Sequence, residues 1–155
     1  MSKVAAASGA ESRFAHSSSL LQELASDVLK HAKALGASDC EADVSEGFGQ
    51  SVTVRCGEVE TIEYNRDKGI GVTVYLGQRK GHASTSDFSR AALRETVEAA
   101  LAIARYTADD PCAGLPDAAL MATRRQCARN LDLYHPWQID VDASIDLARR
   151  CEQAA

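Results

Sequence analysis

At 155 residues, with 45% hydrophobic and 25% charged side chains, the chain has the make-up of one ordinary globular domain. That length buries a core without help from disulfides or metals. A net charge of −5 without any basic stripe argues against nucleic-acid binding by counterion release, and no apolar run approaches the length of a membrane-spanning helix.

Residues 1–19 are rich in Ala, Ser and Gly, lack the apolar stretch of a signal peptide, and read as a disordered tail. From Leu20 to Leu35 the apolar positions Leu21, Leu24, Val28, Ala32 and Leu35 recur at helical spacing. Ser18 or Ser19 is placed to cap this helix, and Gly36 sits where a left-handed C-terminal residue belongs. His31 falls at the edge of the apolar stripe, as a boundary residue.

Asp39 to Glu46 alternates as a strand, with Cys40, Ala42 and Val44 on one face. Gly47-Phe48-Gly49 then reads as a turn, since a lone G-x-G without a following helix is too weak for a phosphate loop. Gln50 to Cys56 alternates again, Gly57 supplies a tight turn, and Glu58 to Tyr64 forms the next strand. Its apolar phase slips between Val59 and Ile62, which predicts a bulge. Asn65-Arg66-Asp67-Lys68 reads as a polar loop.

The clearest strand is Gly69 to Leu76. Ile70, Val72, Val74 and Leu76 share one face, and Gly71, Thr73 and Tyr75 share the other. Gly77-Gln78 has the type II′ pattern, leading to a return strand, Arg79 to Ser86, of mostly small residues. Small side chains on a strand admit the close approach of another element. The face of Gly71, Thr73 and Tyr75, opposite the aliphatic one, together with Gly81 and Ala83 of the neighbouring small-residue strand, is the candidate interface for a second domain or partner.

Ser89 is a natural cap for the longest helix, Arg90 to Tyr106, with Leu93, Val97, Ala100, Leu101 and Ala104 inward and Glu95 and Glu98 in water. Beyond it, Asp109-Asp110-Pro111 and Gly114-Leu115-Pro116 mark loops, Asp117 to Arg125 suggests a short helix, and Leu131 to Leu133 a short extended segment. A last helix begins near Asp140 or Asp142, with Ile145, Ala148 and Cys151 inward. No stop signal precedes Ala155, so the expectation is a chain that was cut there or continues into another domain. The fold class predicted is α+β: an antiparallel meander packed by two main amphipathic helices, with a C-terminal helix leading toward a missing domain.

Chemistry-bearing residues are scattered. The cysteines Cys40, Cys56, Cys112, Cys127 and Cys151 are odd in number and form no C-x-x-C pair. They read as reduced thiols packed as small apolar groups, which suits the cytosol. None of His16, His31, His82 and His135 opens an H-E-x-x-H or H-E-x-x-x-H helix, so no catalytic, cofactor-binding or metal-binding residue is predicted. His82 with Ser84 on one strand could be a hydrolase pair, although a solvated polar face is the simpler reading. Glu58, Glu60, Glu63, Asp67 and Asp87 surround the meander without the spacing of a cation loop. Asp132 to Trp137, DLYHPW, could build a pocket or anchor an interface, but a hydrophobic plug over the core is expected.

Three stretches in order, GEVETIEYNRDKGIGVTVYLGQRKGHASTSD, AALAIARYTADDPCAGLPD and LDLYHPWQIDVDASIDLARRCEQAA, carry a resemblance. Over Leu21 to Ala155 the chain is similar to the first third of PmbA/TldE-type members of the TldD/PmbA metalloprotease family, once called modulators of DNA gyrase. The resemblance implies a cytoplasmic heterodimer with a TldD-like subunit, acting on peptides or unfolded proteins. It places the zinc-binding H-E-x-x-x-H on a helix of the TldD half, so zinc is expected in the partner and not in this chain. The rival readings are an independent peptide- or protein-binding module using a strand edge and a self-contained hydrolase.

Overall fold

In the computed structural model, which describes residues 14–155, four helices and three strands follow the order α1 (Ser18–Ala34), β1 (Asp39–Arg55), β2 (Glu58–Leu76), β3 (Arg79–Thr85), α2 (Arg90–Tyr106), α3 (Arg124–Cys127) and α4 (Val141–Ala154). The strands form one antiparallel sheet in the order β1-β2-β3, the predicted meander. Most of the predicted tail, residues 1–13, lies outside the described residues. Helix α1 starts earlier than expected: Ser17 is the cap, its hydroxyl accepting from the Leu20 amide, and Ser18 and Ser19 lie within the helix.

Two expected interruptions do not exist. Gly47-Phe48-Gly49 and Asn65-Arg66-Asp67 stand opposite one another, Gly47 against Asp67, Phe48 against Arg66 and Gly49 against Asn65, so each supplies the other's backbone partners. The ladder runs through both, fusing four predicted strands into two long ones; the Arg66 guanidinium lies 5.6 Å over the Phe48 ring. The predicted bulge is present. Thr53 pairs with Thr61 and Val54 with Val59, leaving Glu60 as the extra residue. Both hairpin turns carry the required left-handed residues, Cys56 and Gly57 at the first and Gly77 at the second.

Register sorts the sheet into two faces. Cys40–Val74–Gly81, Ala42–Val72–Ala83 and Val44–Ile70–Thr85 form rows on the inner face. There Ile70, Val72 and Val74 join Val28, Ala32, Leu93, Val97, Ala100 and Leu101 in one core. The buried stripe of α2 is the predicted one, Leu93, Val97, Ala100, Leu101 and Ala104.

The C-terminal part departs further from expectation. The short helix lies at Arg124–Cys127 instead of Asp117 to Arg125, and no strand forms at Leu131 to Leu133, where Asp132 takes a φ of 50°. Helix α4 packs on the far end of β1, Gln50 Nε2 donating to Ser144 Oγ at 3.0 Å. Glu152 accepts from the amides of Cys56 and Gly57, and Arg149 donates to the Gly57 carbonyl. Cys151 is exposed instead of inward. Of the five free thiols only Cys40 packs among apolar groups, where burial raises its pKa. The other four sit on a hairpin tip, in loops or on an outer helix face, which leaves nothing to cover them.

Candidate functional site

Polar chemistry gathers in several places among the described residues, and the sheet's outer face is the first. Its rows are Asp39–Tyr75–Lys80, Glu41–Thr73–His82 and Asp43–Gly71–Ser84. The five interface candidates therefore divide. Gly71, Thr73 and Tyr75 are on this face, whereas Gly81 and Ala83 point inward, Gly81 beneath α2 and Ala83 against the core. The element admitted by the small-residue strand is α2 of the same chain.

Tyr75 is buried on the outer face, and its hydroxyl donates to Glu41 Oε1 at 2.8 Å. Burial first, then the bond to the Glu41 carboxylate, raises the phenol's pKa. Thr73 Oγ1 and His82 Nδ1 share a hydrogen bond of 3.1 Å. Over Gly71 the side chains of Asp43 and His82 lean in from the two neighbouring strands: a Cβ there would lie 2.5 Å from Asp43 Oδ1 and 3.2 Å from His82 Cε1. Lys68, Ser45 and Ser84 complete a shallow polar depression of about 540 Å³. His82 and Ser84 do share a face, but His82 Nδ1 is engaged by Thr73 and no bond joins the ring to Ser84. A nucleophile needs its base within hydrogen-bond reach, so this arrangement does not activate Ser84.

The second place is a strap at the N-terminal end. Glu46 on β1 accepts from the amide of Ala15 at 2.8 Å, the amide of His16 at 3.1 Å and His16 Nδ1 at 3.2 Å. The Ala15 amide above all, with the His16 groups, lowers the Glu46 pKa below its ordinary value against the opposing effect of partial burial. A depressed carboxyl stabilises the strap above the free glutamate pKa, and that contribution is lost as pH falls through the lowered value. In amide NMR titrations, the Ala15 and His16 signals should shift together in the acid range. Glu46→Gln should remove that acid-range step.

The strap also meets the DLYHPW segment, the Phe14 and Tyr134 rings standing 5.9 Å apart. That segment is not a plug over the core. Leu133 is 81% exposed, Tyr134 61% and Trp137 64%, because α1 and α2 already close the sheet's inner face.

The third place is a groove of about 340 Å³ between α1 and the start of α2. Leu24, Val28, Phe88 and Leu93 line its apolar part, with Glu23 and Asp27 on one bank and Arg90 and Arg94 on the other. Sequence reading missed it. The available sign was a second helical stripe on α1, running Leu20, Glu23, Leu24, Asp27 beside the core stripe.

The residues present do not fit a metal centre. His16 is tied to Glu46, His31 lines the helix groove, His82 is on the outer face, and His135 is in the exposed segment. Among the described residues no three of His, Cys, Asp and Glu come together. Helix α2 carries exposed Glu95 and Glu98 and no histidine. No helix of the described residues is long and apolar enough to cross a membrane.

Comparison with known proteins adds the following. Residues 40–104 match the family description "PmbA/TldA metallopeptidase domain 1". The chain is 49% identical over 137 residues to Metalloprotease PmbA of Escherichia coli O157:H7, covering 88% of this chain and 29% of that protein. It is 47% identical over 135 residues to a Metalloprotease PmbA homolog of Haemophilus influenzae, covering 87% and 29%. The chain thus spans under a third of the length of these curated relatives. Among solved structures, a Bacteroides thetaiotaomicron protein described as a modulator of DNA gyrase superposes with a TM-score of 0.58 at 20% identity, over 63% of this chain and 22% of that one. TldE from Thermococcus kodakarensis gives a TM-score of 0.55 at 15% identity, over 61% and 21%. At those identities the likeness concerns the fold.

Proposed function

Through that first domain the chain belongs to the TldD/PmbA metallopeptidase family, and from this premise we propose that it is the non-catalytic N-terminal domain of a PmbA/TldE-like subunit. In this reading it supports zinc-dependent proteolysis, in the cytoplasm, of peptides or unfolded proteins by a TldD-type partner. The observation that carries it is the make-up of α2, a helix of the matched domain with acidic residues but no imidazole. Zinc needs three protein ligands plus an open position to activate water, and α2 supplies no histidine toward such a set. The metal and its bound water would come from the partner. This chain would contribute a rigid sheet and helix pair against which the partner's site is assembled.

The test is reconstitution. Purified alone, the protein should hold no stoichiometric zinc by elemental analysis and leave an unfolded protein substrate intact. Mixed with a TldD-type subunit, it should form a complex and hydrolysis should appear. Tight zinc with peptidase activity from this chain alone would refute the proposal. Failure to associate with any TldD-type subunit would instead favour an independent binding module.

A further inference from the structure

We propose that the groove between α1 and α2 is a docking site for an amphipathic helix of another protein, one carrying acidic residues along one flank and basic residues along the other. The idea is independent of the proteolytic reading and of which protein supplies the helix. It starts from the spacing of the α1 residues that line the groove. Leu20, Glu23, Leu24, Asp27, Val28 and His31 fall at i, i+3, i+4, i+7, i+8 and i+11, an unbroken helical stripe of about 16 Å. Arg90, Leu93 and Arg94 repeat the spacing at the start of α2. Two such ridges side by side form the surface into which a third helix interlocks.

The choice of a helix follows from hydrogen bonding. Most of the lining is helix, whose backbone groups beyond the first turn are used internally, so an extended peptide would bury most of its own amides and carbonyls against apolar side chains without partners. A helix satisfies its backbone itself and presents side chains alone, the helix-in-groove mode of recognition.

Charge sets the flanks. Among the described residues Glu23, Arg90 and Arg94 make no ion pair, and Asp27 meets only Lys30, at 3.4 Å with both side chains exposed. An acidic bank and a basic bank thus face each other across apolar ground without meeting. A bound helix with carboxylates toward Arg90 and Arg94 and amines toward Glu23 and Asp27 would satisfy both.

A displayed library of amphipathic helices, with a fixed apolar ridge and varied flanking charges, tests this against the whole folded protein. The expected winners are helical by circular dichroism, with acid on one flank and base on the other. The R90E/R94E double variant, folded by the same criterion, should bind them about tenfold more weakly. Swapping the helix's acidic flank to lysine should restore binding. Leu20→Lys, a change at an exposed rim position, should also weaken it. The proposal fails if no helix is enriched, if extended peptides win, or if the arginine reversals leave affinity unchanged. It fails equally if sedimentation shows a wild-type dimer that Leu20→Lys dissociates, since a second copy would then be the occupant.

Discussion

Gly81→Ala should destabilise the fold by about 3 kcal/mol, lowering the thermal midpoint by roughly 6–12 °C. Gly81 lies on β3 directly beneath α2. A Cβ built there would overlap the Ala100 carbonyl oxygen, lie 2.5 Å from the Ala104 amide nitrogen and 3.0 Å from the Ile103 Cβ. Two of those three atoms are backbone in the middle of a helix, so relief requires moving α2 off the sheet. That motion opens the contacts of Val97, Ala100 and Leu101, all within the core. Gly71→Ala is the control. It faces the other side, and its close neighbours are the ends of the Asp43 and His82 side chains, which can swing into solvent. Its effect should stay within about 1 kcal/mol. Urea titrations of the two variants side by side decide the matter. An unchanged midpoint for Gly81→Ala would mean that α2 does not seat on β3 as described.

Ile70→Ala should cost about 2–5 kcal/mol, the range for emptying a closed aliphatic site. Ile70 is 1% exposed and stands in the row Val44–Ile70–Thr85. The loss combines the removed transfer energy with a cavity that two flanking strands and the helix layer cannot collapse around. Chemical denaturation should show a lower midpoint with an unchanged slope. A variant as stable as the parent would place Ile70 outside the core.

How far these features could be seen in advance differs residue by residue. The stripe of α2, its cap at Ser89 and the two faces of Gly69 to Leu76 were legible, because each depends on periodicity and local chemistry within one segment. The bulge was legible as a slipped apolar phase between Val59 and Ile62. The continuous passage of β1 and β2 through Gly47–Gly49 and Asn65–Asp67 was not. Each stretch alone has turn composition, and only their mutual pairing supplies the backbone bonds that hold them extended. The aromatic segment was misread for a related reason: Tyr134 and Trp137 are apolar enough for a plug, but the surface they would have covered is taken by α1 and α2.

The candidate sites follow the same division. Absence of a histidine from α2 is a property of the sequence, as is the unsuitability of its spacing for a zinc helix. Where the small residues of β3 point depended on register: a shift of one residue would have put Gly81 on the open face and His82 beneath α2. The helix groove depended on two segments far apart in the chain, since Glu23 and Arg94 belong to one surface only once α1 and α2 lie on the same side of the sheet. By itself, then, the amino-acid sequence determined the stripe of α2, the two faces of the central strand and the family, because these rest on local periodicity and on ordered blocks of residues. Tertiary structure alone decided what the elements approach, which strands merge and which charges face each other, because those depend on the register and packing of segments remote in the chain.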